Sequence, residues 1–277
     1  MTLRQSLTKR QKLRAALAVV SMMQKCDSNN NPKCFIRKAL TKREQNVINR
    51  ELELLDVAEK IMAHEGFSGL TMDKLVAACD YSKGTVYNHF ANKEDLFCAL
   101  SIKGMRFIIS LVKRAVTMQG NSREKCLAIV YAQQLHSQMH ATASFCVLMV
   151  KTPAVLEKAS VGRIAIQREL DMEITLLVDK LIEQAADCGD LTLNKREEVN
   201  GICFALWSMS FGSSAILASD QDAEAVARLD MFNALLFNMN VLLDGLKWLP
   251  LSDELDYQAT WLRIGNEVFA AEVAALS

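Results

Sequence analysis

Between Ser82 and Lys93 the chain sets hydroxyls, an amide, an imidazole and ammonium groups at short intervals. The stretch reads Ser82-Lys83-Gly84-Thr85-Val86-Tyr87-Asn88-His89-Phe90, followed by Lys93. On an exposed helix face this is the chemistry of groove reading. Amides and small hydroxyls meet base edges, while cations and backbone N–H groups meet phosphates. For a helix that advances about 100° per residue, Val86 and Phe90 share one side and pack inward. Gly84, Thr85, Tyr87 and Asn88 then point away from the core, with Lys83 and His89 on the flanks. A glycine inside a helix costs roughly 1 kcal/mol relative to alanine. At an outward position packing returns nothing, so close approach of another surface accounts for Gly84. An ordinary helical hairpin with a polar outer face has the same period, and periodicity alone leaves both readings open.

Two short helices joined by a tight turn must position these groups. Thr71 is placed to cap the first, with Asp73 in its first turn where a negative charge suits the helix dipole. Met72, Leu75, Val76 and Cys79 repeat at helical spacing and make one apolar face. Asp80 falls where the chain turns. Ser82 caps the second helix, and Tyr81 can staple onto Val86 four residues inside it. Upstream, Leu54, Val57, Ala58, Ile61 and Met62 form the stripe of a helix over 44–65, ended by Gly66 with Phe67 packing back. Downstream, Asn92 is placed to cap a long helix from Lys93 to about Met118.

Gly66-Phe67, Thr71, Ser82 to Phe90 as written above, and Lys93-Glu94-Asp95-Leu96 follow one another without gaps. Over roughly Glu51 to Leu100 this resembles the DNA-binding domain of the tetracycline-repressor (TetR/AcrR) family of bacterial regulators. Asp80 stands where that family usually has Gly. The resemblance implies an all-α fold, with a three-helix helix-turn-helix domain at 44–96 and a larger helical ligand-binding and dimerisation domain at 97–277. Residues 1–43 form a basic extension that it does not cover. It implies DNA contacts by Thr71, Ser82, Lys83, Gly84, Thr85, Tyr87, Asn88, His89 and Lys93. Thr85 and Asn88 are the candidates for base edges; Tyr87, His89, Lys93 and the helix starts at Thr71 and Ser82 are the candidates for phosphates. It further implies a homodimer on a palindromic operator. Its interface would be built from helices over 195–219 and 223–247, where Gly212, Ser213 and Ala215 permit close approach.

Composition bounds the alternatives. The 277 residues are 51% hydrophobic with only 3 Pro and 11 Gly, too few breakers for a sheet-rich chain. The eight cysteines include no CxxC pair, and Cys98, Cys126, Cys146 and Cys203 have apolar neighbours. They read as reduced core thiols of a cytoplasmic protein, and the resemblance implies that it is nucleoid-associated. Ala15 to Met23 is apolar but too short for a convincing secretory signal. No charge occurs from Val199 to Ser219, a length that can span a bilayer; its serines, Asn200 and two glycines fit a helix inside a subunit interface better, and no membrane partner is expected. Charge is segregated within a net of zero. Met1 to Arg43 holds 11 Lys and Arg against Asp27, net +10, whereas Glu44 to Lys93 holds 5 bases against 8 acids, net −3.

No Gly-x-Ser-x-Gly, phosphate-cradling glycine loop or carboxylate pair flanked by His occurs, so no catalytic residue and no cofactor is assigned. His136 and His140 share a helix face near Cys146 in sequence, but spacing places no third ligand, and no metal site is assigned. Phe107, Met139, Phe145, Met149, Met172, Trp207 and Phe211 are candidates to line a cavity for a hydrophobic or amphipathic small molecule, as the family implies, although each also fits plain core. The expected function is a dimeric repressor released by such a ligand. The alternatives are a ligand-independent DNA-binding member, acting as an activator or chromosome-organising factor, and a helical enzyme or lipid-binding protein that has lost DNA binding.

Overall fold

The computed structural model describes residues 42–195, 197–219, 224–230 and 233–276, and among these there are helices and turns but no strand. The extension up to residue 41 lies outside the described residues; Lys42 and Arg43 open the first helix. Helix α1, Lys42–Gly69, buries Leu54, Leu55, Ala58 and Met62 on one face and is kinked at Gly66, where φ is 72° and ψ is 178°. That positive φ is why a glycine stands there. It turns Phe67 back so that its ring stacks on Phe97 with centroids 4.3 Å apart. Helices α2, Met72–Ala77, and α3, Lys83–His89, follow. Helix α4, Lys93–Ala115, is next, opened by the Asn92 side chain accepting from the Asp95 N–H at 2.8 Å.

The chain divides into two compact units, and the division is discontinuous. The head runs through Lys103 and takes in Cys146–Arg168; the body is Gly104–Phe145 with Glu169–Ser277. A boundary at residue 97 therefore does not describe how the residues pack. The head core gathers Leu54, Leu75, Val86, Phe90, Leu96 and Leu100 with Cys146, Val150, Val155 and Ala159. The last four come from helix α6, Ala141–Met149, and from around the short helix α7, Pro153–Leu156.

In the body, α5, Ser122–Met139, begins with a reciprocal cap between Asn121 and Glu124. Helix α8 is Val161–Asp187, and Gly189 at φ 81° ends it. Helix α9 is Glu198–Ser219. The single helix expected over 223–247 is two: α10, Glu224–Ala227, and α11, Ala234–Gly245. Asp230 accepts from the Asn233 N–H and its side-chain amide, a local alternative to continued helix. The closing helix is capped by Asp256 and runs Tyr257–Arg263 as α12, then through a π-turn at Ile264–Val268 into α13, Ala270–Leu276. Ser252 is turned onto Asp244. Trp248, Trp261 and Phe269 are fully buried in the body core.

Candidate nucleic-acid interface

Local chemistry makes the two short helices. The Thr71 hydroxyl accepts from the Lys74 N–H at 3.2 Å and the Ser82 hydroxyl from the Thr85 N–H at 3.2 Å, so each helix start has a side-chain cap. Val86 and Phe90 are fully buried, which fixes the opposite side of α3 as its outer face. Tyr81 partly packs on the core, but its hydroxyl reaches Glu53 and its ring lies under Arg50 at 5.2 Å. Tyr81 thereby ties the turn to α1.

Gly84, Tyr87, Asn88, Lys83 and Ser82 are exposed and Thr85 is half-exposed. A Cβ built on Gly84 would have only the Ser82 Oγ nearby, at 4.0 Å, so nothing inside the protein requires a glycine there. The Thr85 hydroxyl shares a 2.9 Å hydrogen bond with Ser82, and Lys83 pairs with Asp73 at 3.0 Å while lying over the Tyr87 ring at 5.6 Å. Thr71 is exposed one helix away.

Two expected contacts are placed differently. His89 does not face outward; it is buried, with Nδ1 3.4 Å from a Glu51 carboxylate oxygen. Lys93 is half-buried, donates to the Phe67 carbonyl at 3.2 Å and stands over the Phe67 and Phe97 rings. His89 completes the inward side of α3 because a charge network receives it. Arg163, from the first turn of α8, donates to Glu51 at 2.9 Å and to the His89 carbonyl at 3.0 Å, and its Nε lies 3.4 Å from Asp95. Asp95 also accepts the N–H groups of Ala91 and Ser160. Burial alone would raise the Glu51 carboxyl; the Arg163 charge and the hydrogen bonds from His89 and Arg163 outweigh it and hold the group at about 2. The C-terminal end of α3 is thus locked from behind by ionised groups that α1, α4 and α8 supply. Sequence inspection missed Glu51, Asp95 and Arg163. The only available signal was acid and base on otherwise apolar helix stripes.

The candidate ligand residues do not converge. Phe145, Met172 and Trp207 are exposed, Phe107 and Met139 are half-buried, and Phe211 is buried. Met149 belongs to the head. Trp207 is instead exposed beside Phe204 on α9, ring centroids 6.1 Å apart, and Ile216 of α9 and Phe237 and Val241 of α11 are exposed too, Phe237 at 68%. Among the described residues one helix, Glu198–Leu217, is long and apolar enough to cross a membrane, with mean hydropathy 1.2. No group of three or more His, Cys, Asp or Glu able to hold a metal occurs among them.

A capped pair of short helices with a polar, unobstructed second helix defines a helix-turn-helix domain. Residues 54–100 match the model of the family described as bacterial regulatory proteins, tetR family. An uncharacterized HTH-type transcriptional regulator of Mycobacterium tuberculosis is 26% identical over 145 residues, 52% of this chain. The match spans 66% of that relative's length, just under two thirds. The HTH-type transcriptional repressor AcnR of Corynebacterium efficiens is 37% identical over 54 residues, 20% of this chain and 29% of its own. The structure of the transcriptional regulator FadR from Bacillus subtilis in complex with stearoyl-CoA shares the fold at a TM-score of 0.55 and 15% identity, covering 70% of this chain and 98% of that one.

Proposed function

We propose that the protein is a sequence-specific DNA-binding transcription regulator: a cytoplasmic homodimer that represses from a palindromic operator and is released by a small hydrophobic or amphipathic ligand. The observation that carries this reading is the outer face of α3, where Thr85, Tyr87 and Asn88 flank a Gly84 with open space beyond it. A helix entering the major groove needs polar reach at some positions and no side chain at the point of closest approach. Thr85 and Asn88 read base edges; Tyr87, Lys83 and the helix starts at Thr71 and Ser82 meet phosphates. The basic extension adds sequence-independent affinity for the polyanion. The apolar surface of α9 and α11 supports a second copy as its cover, in place of lipid. FadR, which shares the fold, was solved with an acyl thioester, which supports a receptor role for the body here.

The test is selection of bound sequences from random DNA, followed by anisotropy titrations of variants. Thr85→Ala changes preference at one base pair per half-site by about 1–3 kcal/mol, whereas Tyr87→Phe weakens all sequences alike by about 0.5–1.5 kcal/mol. A uniform loss for Thr85→Ala reverses its role. One rival keeps the fold without the DNA contact. It draws on the acid excess of residues 44–93 and on Lys83 being neutralised by Asp73. Failure to enrich any sequence favours it.

A further inference from the structure

His136 lies on α5 in the body, 2% exposed, and neither ring nitrogen has a hydrogen-bond partner. Its neighbours are rings and small residues. The Phe107 ring lies 6.1 Å away and the His140 ring 6.3 Å away, centroid to centroid. His140 meets Phe107 edge-on at 4.6 Å. A Cβ on Gly104 of α4 would come 3.0 Å from His136 Nε2 and 2.9 Å from the Ala143 Cβ, so the glycine is what lets the imidazole lie against α4. One residue further along α5, Ser137 pairs with Ser144 at 3.3 Å. Ser137 also accepts from the Gln133 side-chain amide at 3.3 Å, and neither serine hydroxyl bonds His136. Burial, and then the neighbouring His140, push the His136 imidazole down to about 3. At neutral pH the ring is uncharged, with one N–H donor and one lone-pair acceptor.

Buried polar groups in folded proteins are almost always bonded, and those left open mark a role or a bound molecule. A metal ion does not fit: no cluster of three or more ligating residues occurs among the described residues, and an unbound histidine pair leaves the coordination incomplete. A charged ligand fits poorly against the Phe107 ring, Gly104 and Ala143, which are apolar or without a side chain. An uncharged hydroxyl or carbonyl on an apolar body fits both halves of the environment. The body meets Phe107 and the small residues, and the polar group meets a ring that can donate or accept.

We propose that His136 is the polar anchor of a binding site for an uncharged, largely apolar molecule carrying a hydroxyl or carbonyl group, with Phe107, His140 and Gly104 around it. This rests on reading the body as the receptor half of the regulator, and it narrows the ligand class of that reading. In the sequence His136 is weighed with His140 as a metal pair to which no metal is assigned, and it is not counted among the ligand residues.

The test uses the full chain and two probes of one shape, 4-ethylphenol and its methyl isostere 4-ethyltoluene. Calorimetry and the ¹⁵N signals of the His136 ring, assigned by comparison with His136→Leu, read the binding. The expected result is saturable movement of the ring signals with 4-ethylphenol and at least about tenfold tighter binding than the isostere. His136→Leu removes that preference, and His136→Gln, which keeps a donor and an acceptor, restores part of it. Equal affinities for the two probes, a preference that survives in His136→Leu, absence of binding to either, or ring signals that stay fixed because a resident water holds them, each overturns the proposal. Operator anisotropy is recorded in parallel. Binding of the phenol without release of DNA keeps the anchor and removes the repressor-release reading; absence of any DNA binding removes only the regulator reading.

Discussion

Head and body each hold the back of an open helix face with a buried arginine, and they do it differently. Arg163 stands behind α3 with two carboxylates, Glu51 and Asp95, whose side chains are nearly closed to water, plus the His89 carbonyl. Arg123 stands behind α11 with one carboxylate, Asp244, at 2.7 Å, the Trp248 carbonyl at 2.8 Å and the Asn240 amide oxygen at 3.0 Å, and it stacks over Tyr257. The Asp244 side chain is 34% exposed and also accepts from Ser252. The faces in front are opposite in kind: polar on α3, apolar on α11, where Phe237 and Val241 project. A polar face gains nothing from its own burial, so its helix must be fixed by what lies behind it. An apolar face can be fixed by what comes to cover it.

The largest effect follows from the difference in partners. Arg163→Met leaves two buried carboxylates uncompensated and costs about 3–5 kcal/mol. Arg123→Met leaves a carboxylate that still reaches water and Ser252, together with two neutral acceptors, and costs about 1–3 kcal/mol. Urea unfolding of both variants beside the wild type measures this. Equal losses would erase the contrast between the two clusters. In conditions where Arg163→Met remains folded, operator affinity falls as well, because the His89 end of α3 is released.

Next is the face in front of Arg123. Phe237→Glu places a charge in the exposed apolar surface of α11. If a second copy covers that surface, the dimer dissociation constant rises about a hundredfold, equivalent to about 2.7 kcal/mol, while helicity by circular dichroism is unchanged. Sedimentation of the wild type and the variant reads it. A wild type that sediments as a monomer at micromolar concentration, with and without DNA, rules out the homodimer and leaves the apolar face without its proposed cover.

How much of this was legible depended on how far apart the determinants lie. The caps at Thr71, Ser82 and Asn92 and the inward pair Val86 and Phe90 are local, and the structure has them where their spacing puts them. His89 was not legible. Its partner Arg163 lies 74 residues away, and nothing at short range distinguishes a histidine that finds a charge network from one that faces solvent. Apolar period shows that a helix hides a face, not from what. Met172 and Trp207 satisfied the rule for a lined cavity and stand on the surface. Asp230 and Asn233, both weak helix formers, stand at the break between α10 and α11, but the apolar residues on either side keep a helical period that hid them.

A buried histidine of the body and a buried carboxylate of the head sharpen the same contrast through pH. His136 has no charge partner and its imidazole sits at about 3 against an ordinary 6.5, so the unfolded chain binds the additional proton between those values. Stability therefore falls as pH drops below about 6.5, on the order of 1 kcal/mol between pH 7 and 5.5. Glu51 sits at about 2 against 4.5, so the stability it contributes is complete above about 4.5 and is lost only as pH falls towards 2. His136→Phe should flatten the first limb of a stability–pH curve and leave the second. Loss of stability starting only below pH 4.5 in the wild type would mean that His136 is not held neutral.

The smallest change in the free protein is expected at Gly84, and it separates folding from binding within one residue. A Cβ there meets only the Ser82 Oγ at 4.0 Å, and the backbone is in helix α3, a conformation any L-residue adopts. Gly84→Ala therefore introduces no clash inside the protein. It removes backbone freedom from the unfolded chain and stabilises the fold by a few tenths to about 1 kcal/mol. If the outer face of α3 is pressed against a groove, the same methyl occupies the point of closest approach, and affinity for the selected operator falls although the protein is more stable. Thermal unfolding and anisotropy on one preparation give both signs. A variant more stable and equally tight on DNA would show that nothing approaches Gly84, and the face of α3 would then contact its partner through Tyr87 and Asn88 alone. A variant less stable would show that the glycine serves the fold, contrary to the open space in front of it.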